Sequence, residues 1–80
     1  MTNTLLLYTT SGCHLCEEAE TLLQQLILAG HTMEVIPVDI SIDEKLVELY
    51  GIRIPVVKNP ASEMEIAWPF NAQQLLGLLN

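Results

Sequence analysis

The fold class this sequence predicts is α/β, with the element order βαβαββα. Two apolar runs that do not alternate point to strands covered on both faces. Between them lies a longer stretch with apolar residues at steps of three and four, the pattern of an amphipathic helix. Turn residues then cut the second half into short pieces of each kind. With 80 residues, half of them apolar and 16% charged, the chain is expected to form one domain spanning residues 1–80.

Residues 4–9 (Thr-Leu-Leu-Leu-Tyr-Thr) read as a short buried strand, and Thr10-Ser11-Gly12 as a loop. A helix is expected from Cys13 or His14 to Ala29, with Leu15, Ala19, Leu22, Leu23, Leu26 and Ile27 on one stripe and Glu17, Glu18, Gln24 and Gln25 opposite. Gly30 stops it. Residues 33–38 form the second strand, with Pro37 marking its end. Ser41 and Glu44 have the spacing of a capping box, opening a short helix that turns Leu46, Val47 and Tyr50 inward and stops at Gly51. Residues 56–58 make a third strand, entered through Ile54-Pro55. Asn59-Pro60-Ala61-Ser62 turns the chain, and residues 63–67 alternate as a fourth strand. Asn71 caps a last helix that buries Leu75, Leu76, Leu78 and Leu79.

The chemistry is concentrated in Cys13-His14-Leu15-Cys16, where a strand gives way to a helix. A first helical turn presents unpaired N–H groups and the positive end of the helix dipole, which stabilise a thiolate. Cys13 is therefore the expected nucleophile. Cys16, one turn on, is the expected resolving thiol. Glu17, Glu18 and Glu20 oppose the helix terminus and moderate the effect, so a reductant or exchanger is expected rather than a strong oxidant. His14 is either a tuning group or a polar filler. A bridge between residues three apart removes little chain entropy, so this pair is poorly placed as a structural staple. Structural zinc takes four ligands, and His14 and His31 are not spaced as a second pair, so no metal is expected. His31, after a helix-ending glycine, is given no role.

Ten acids against three bases give a net charge of −7. Lys45, Arg53 and Lys58 form no cluster along the chain, and no nucleic-acid partner is expected. The start has no basic region ahead of its short apolar run, and no run approaches a membrane span, so neither a signal peptide nor a membrane partner is expected. A Cys-x-x-Cys in this setting fits a reducing cytoplasm.

The helix-start Cys-x-x-Cys together with Ile54-Pro55 before the third strand resembles the thioredoxin superfamily. Tyr8-Thr9-Thr10-Ser11-Gly12-Cys13, the chain length and the element order narrow the resemblance. The chain is similar to the small bacterial glutaredoxin-like proteins with Gly-Cys-His-Leu-Cys-Glu-Glu and a late Trp-Pro-Phe. The resemblance covers essentially the whole chain. It implies a four-stranded mixed sheet with helices on both faces and a cis Ile54–Pro55 bond, which leaves the Ile54 backbone free to pair with an extended substrate. It also implies a thiol–disulfide oxidoreductase working as a monomer, with a disulfide-bearing protein or a small thiol as substrate and a thiol reductant for recycling. His14, Arg53, Ile54, Pro55 and Trp68 are the candidate substrate contacts. Arg53 suits an anionic substrate, while Trp68 reads first as a core or rim aromatic and second as a platform.

Departures from the family pattern bear on the substrate. Glutathione-using glutaredoxins typically carry Cys-Pro-Tyr-Cys, a basic residue before it and a Gly-Gly then Asp element before the last helix. Here His14-Leu15 lies between the cysteines, Thr9-Thr10-Ser11 precedes them, and Ala67-Trp68-Pro69-Phe70-Asn71 replaces the glycine-and-acid element. Glutathione is thus a candidate co-substrate without its usual close-approach site, and no resident cofactor is expected. Thioredoxins typically add a buried acid on the preceding strand, for which Leu5-Leu6-Leu7 offers no counterpart. Two rival readings are a thioredoxin-fold binding module with incidental cysteines and a carrier of metal or an iron–sulfur cluster.

Overall fold

The computed structural model describes residues 3–79. Its elements are β1 (Asn3–Thr9), α1 (His14–Leu28), β2 (Met33–Asp39), a 3-10 turn (Ile40–Ile42), α2 (Glu44–Tyr50), β3 (Val56–Asn59), β4 (Met64–Ala67) and α3 (Ala72–Leu76). They follow the expected order. The strands form one mixed sheet in the order β2-β1-β3-β4. β1 runs parallel to β2, and β3 runs antiparallel to both β1 and β4.

The central strand β1 explains why its apolar run does not alternate. Leu5 and Leu7 face one core with Ala19, Leu23 and Leu26 of α1, Val57 of β3, and Phe70, Leu75 and Leu78 around α3. Tyr8 faces a second, smaller core with Ile40, Tyr50 and Val56, against which Leu6, Leu46 and Ile54 pack. Both sides of the strand are therefore covered, α1 and α3 on one, α2 on the other.

The helix ends obey local chemistry. Gly30, with φ +105°, turns the chain after α1 in a conformation that side chains resist. Asn71 caps α3 as expected: its side chain accepts from Gln74 N–H while the Gln74 side chain accepts from Asn71 N–H, at 2.8 and 2.9 Å.

Several expectations are corrected. Ser41 does not cap α2: its N–H and hydroxyl both donate to the Asp39 carboxylate, at 2.9 and 2.8 Å, winding the 3-10 turn. Asp43 takes the cap instead, accepting from Lys45 N–H at 2.8 Å. Val47 faces outward, because Leu46 and Tyr50 fill the space under α2. Leu15 and Ile27 lie at the edges of the α1 stripe and are each about two-fifths exposed, whereas Ala19, Leu23 and Leu26 form its buried centre. The second strand passes through Pro37 to Asp39, as an edge strand tolerates a missing N–H. Glu63 belongs to the turn before β4, at φ +62° with its N–H bonded to Asn59 O. Leu78 and Leu79 lie beyond the last helix yet still pack on the core.

Candidate functional site

The two cysteines sit where β1 hands over to α1. Gly12, at φ +76°, makes the turn that brings the chain from the sheet to the helix. Cys13 is the N-cap residue in extended conformation, and its Sγ accepts the Cys16 backbone N–H at 3.2 Å. That bond satisfies one of the open donors of the first turn with sulfur, where capping usually uses oxygen. Cys13 and Cys16 form a disulfide, with Cα atoms 5.2 Å apart. Burial separates the two: Cys13 is partly exposed, while Cys16 is 2% exposed on the inner side of α1. His14 points into solvent, with Nδ1 3.6 Å from a Glu17 carboxylate oxygen.

Strand register brings Pro55 to the same end of the sheet. Tyr8 is level with Val56 in the antiparallel β1–β3 pair, so the step forward to Thr9 is the step back to Pro55. Pro55 is fully buried, its bond to Ile54 is cis, and its carbonyl accepts the Trp68 N–H at 2.9 Å. Trp68 is half-buried and meets Phe70 edge-on, at 5.1 Å between ring centres. It also walls an open groove of about 320 Å³ along the outer side of α1, with Glu18, Thr21, Leu22 and Gln25. Trp68 is thus a rim aromatic joined by its backbone to Pro55. The bond between Trp68 and Pro69 is a second cis peptide, one that nothing in the sequence singled out.

The Ile54 backbone is engaged at its amide. Its N–H donates to Tyr50 O at 3.0 Å, closing the end of α2. Arg53 is likewise engaged: its guanidinium lies 3.2 Å from a Glu65 carboxylate oxygen and 5.6 Å above the Tyr50 ring. The other Glu65 oxygen accepts from the Tyr50 hydroxyl at 2.9 Å, and Tyr50 stacks on Tyr8 at 4.2 Å. Burial, and then the Glu65 carboxylate, push the Tyr50 phenol well above its ordinary range. Asp39 is held below the usual carboxylate range by the Ser41 backbone N–H, then by the Ser41 hydroxyl, with a smaller contribution from Thr10 beside the site.

The tyrosine–carboxylate–arginine chain was missed by sequence reasoning, since its partners are brought together only by the fold. Asn59, expected in the turn after the third strand, instead ends β3. It is buried, its amide donates to Leu78 O, and its carbonyl oxygen accepts from Ala61 N–H at 2.9 Å. Among the described residues no group of three or more His, Cys, Asp or Glu side chains is placed to hold a metal ion. Among the same residues no helix is long and apolar enough to cross a membrane.

A helix-capping Cys-x-x-Cys beside a β3-leading proline, on a β2-β1-β3-β4 sheet, defines a thioredoxin-like class of protein. Residues 4–80 match the model of the glutaredoxin-like domain (DUF836), and the chain belongs to that family. Among solved structures it is similar to protein XcR50 from X. campestris, with 38% identity over 91% of each chain and a TM-score of 0.77. Protein Ne2328 from Nitrosomonas europaea also has a TM-score of 0.77, at 29% identity, with 100% of this chain and 94% of that one covered. A malarial protein at 18% identity, with a TM-score of 0.66 over 98% of this chain and 93% of that one, shares the fold. No curated protein matches the chain.

Proposed function

We propose that this protein is a thiol–disulfide oxidoreductase in which Cys13 attacks and Cys16 resolves. The observation that carries the reading is the asymmetry of the pair. Cys13 is partly exposed and caps α1, whereas Cys16 is buried one turn inside the same helix. An incoming disulfide therefore reaches Cys13 first.

The reduced dithiol begins with Cys13 as thiolate, favoured by the helix terminus and by the Cys16 N–H aimed at its sulfur. It attacks one sulfur of a substrate disulfide, and the other leaves as a thiolate that takes up a proton. Cys16 then loses its proton and attacks Cys13 Sγ, forming the Cys13–Cys16 disulfide and releasing the second substrate thiol. Two electrons and two protons pass to the substrate. A thiol reductant returns the protein to the dithiol, with glutathione one candidate.

Trp68 would form the wall against which the substrate lies, with Pro55 buried behind it and holding its backbone, because both reach the sheet end from which α1 departs. His14, exposed beside Cys13, would meet the substrate's near side. A monomer in the cytoplasm fits this role, since a reducing compartment keeps such a pair cycling.

Trapping tests the reading. Cys16→Ser, mixed with a disulfide-bonded peptide, is expected to accumulate a mixed disulfide through Cys13 that dithiothreitol releases. Cys13→Ser is expected to accumulate none. If both variants exchange disulfides as the unaltered protein does, the assignment is wrong.

A further inference from the structure

The charges at the cysteine end of the molecule select among disulfides. Glu17 lies in the first turn of the helix that Cys13 caps, four residues on and on the same side. Glu18 stands on the groove that Trp68 walls. Asp39 ends β2 level with Thr9, the residue directly before the loop carrying Cys13, and its Oδ1 accepts from the Ser41 N–H and hydroxyl, both neutral donors. Two elements, α1 and β2, thus bring three carboxylates to the approach.

Positive charge at this end is offset. The Arg53 guanidinium is paired with Glu65. His14 faces Glu17. Lys45 on α2 is outnumbered by Asp43 at its cap and by Glu44 and Glu48 on the same helix. Lys58 lies in β3 opposite Glu65, two residues beyond Val56.

We propose that this site takes disulfides carried on cationic groups, of the kind a basic peptide segment bears, in preference to anionic ones such as glutathione disulfide. The inference rests on the exchange chemistry proposed above and deepens it. The covalent steps and their electron balance are unchanged; the acidic approach acts on encounter and on the first mixed disulfide. Clefts lined by one sign of charge change on-rates by roughly 10- to 1,000-fold, an effect that salt removes. Small charged probes should show the lower end of that range.

The test follows oxidation of the reduced protein by cystamine (cationic), hydroxyethyl disulfide (neutral) and dithiodipropionate (anionic). Each rate is divided by the rate at which uncharged dithiothreitol reacts with the same probe, which cancels leaving-group differences. At low ionic strength the normalised rates are expected to fall in that order, spanning about tenfold or more. In about 1 M salt the span should shrink to within about twofold. The double variant Glu17→Lys with Glu18→Lys, at exposed helix positions, should flatten or reverse the order. Equal normalised rates at low salt, or the anionic probe reacting first, overturn the inference while leaving the exchange reading intact. Failure of all three probes to oxidise the cysteine pair removes the exchange reading and this inference with it.

Discussion

Beneath α1 and α3 the sheet buries Leu5, Leu7 and Val57 against Ala19, Leu23, Leu26, Leu75 and Leu78, all apolar. Beneath α2 it buries two stacked tyrosines, and one hydroxyl reaches out to a carboxylate that also holds Arg53. The first face fixes the helix that carries both sulfurs, and apolar packing needs no direction to do so. The second face fixes the segment that leads into Pro55. There Arg53 and Ile54 both donate backbone N–H groups to Tyr50 O, and the Arg53 side chain is tied to β4. Directional bonds suit that task, because a segment without regular structure has no stripe to bury.

Three substitutions bear on this contrast. Leu23→Ala should have the largest effect, since Leu23 is 1% exposed at the centre of the α1 stripe. Opening a cavity there should cost about 2–5 kcal/mol, a large part of what a domain this small possesses. Chemical denaturation measures it, and a loss below about 1 kcal/mol would mean the helix face is not close-packed. Tyr50→Phe keeps the ring and its stacking but removes the bond to a charged acceptor, for a loss of about 1.5–3 kcal/mol.

That second effect carries a pH signature. The folded Tyr50 phenol binds its proton more tightly than the unfolded one, whose ordinary value is near 10. Its contribution is therefore complete below about pH 10 and is lost as the pH rises beyond that value. The stability gap between the unaltered protein and Tyr50→Phe should narrow between about pH 8 and pH 11, read as urea midpoints. A gap that widens would break the assignment. Arg53→Ala should be the smallest of the three, below about 1 kcal/mol, because the pair is partly exposed. Its effect should fade further in salt, which distinguishes a screened ion pair from lost packing.

Where the chain repeats a period, its sequence already told the structure. The α1 stripe, the covered β1 run and the Asn71–Gln74 cap all depend on neighbours within one turn or one strand, so spacing reveals them. The position of Cys13 at the helix mouth was evident for the same reason. Competition between two local signals was harder to read: Ser41 with Glu44 matched a capping box, but Asp39 captured Ser41 first and left the cap to Asp43. Contacts that need the sheet to form were not visible at all. Tyr50 and Glu65 are separated by a whole strand and turn. The Ile54 N–H turns back to close α2, a choice that only the geometry around Tyr50 decides.

Trp68 is the sole tryptophan of the chain, and it stands between Pro55, to which its backbone is bonded, and the α1 groove. Indole emission from this protein consequently arises at one address, on the rim of the cysteine end. The molecule carries a built-in optical probe there, and occupancy of that rim can be followed in unlabelled protein.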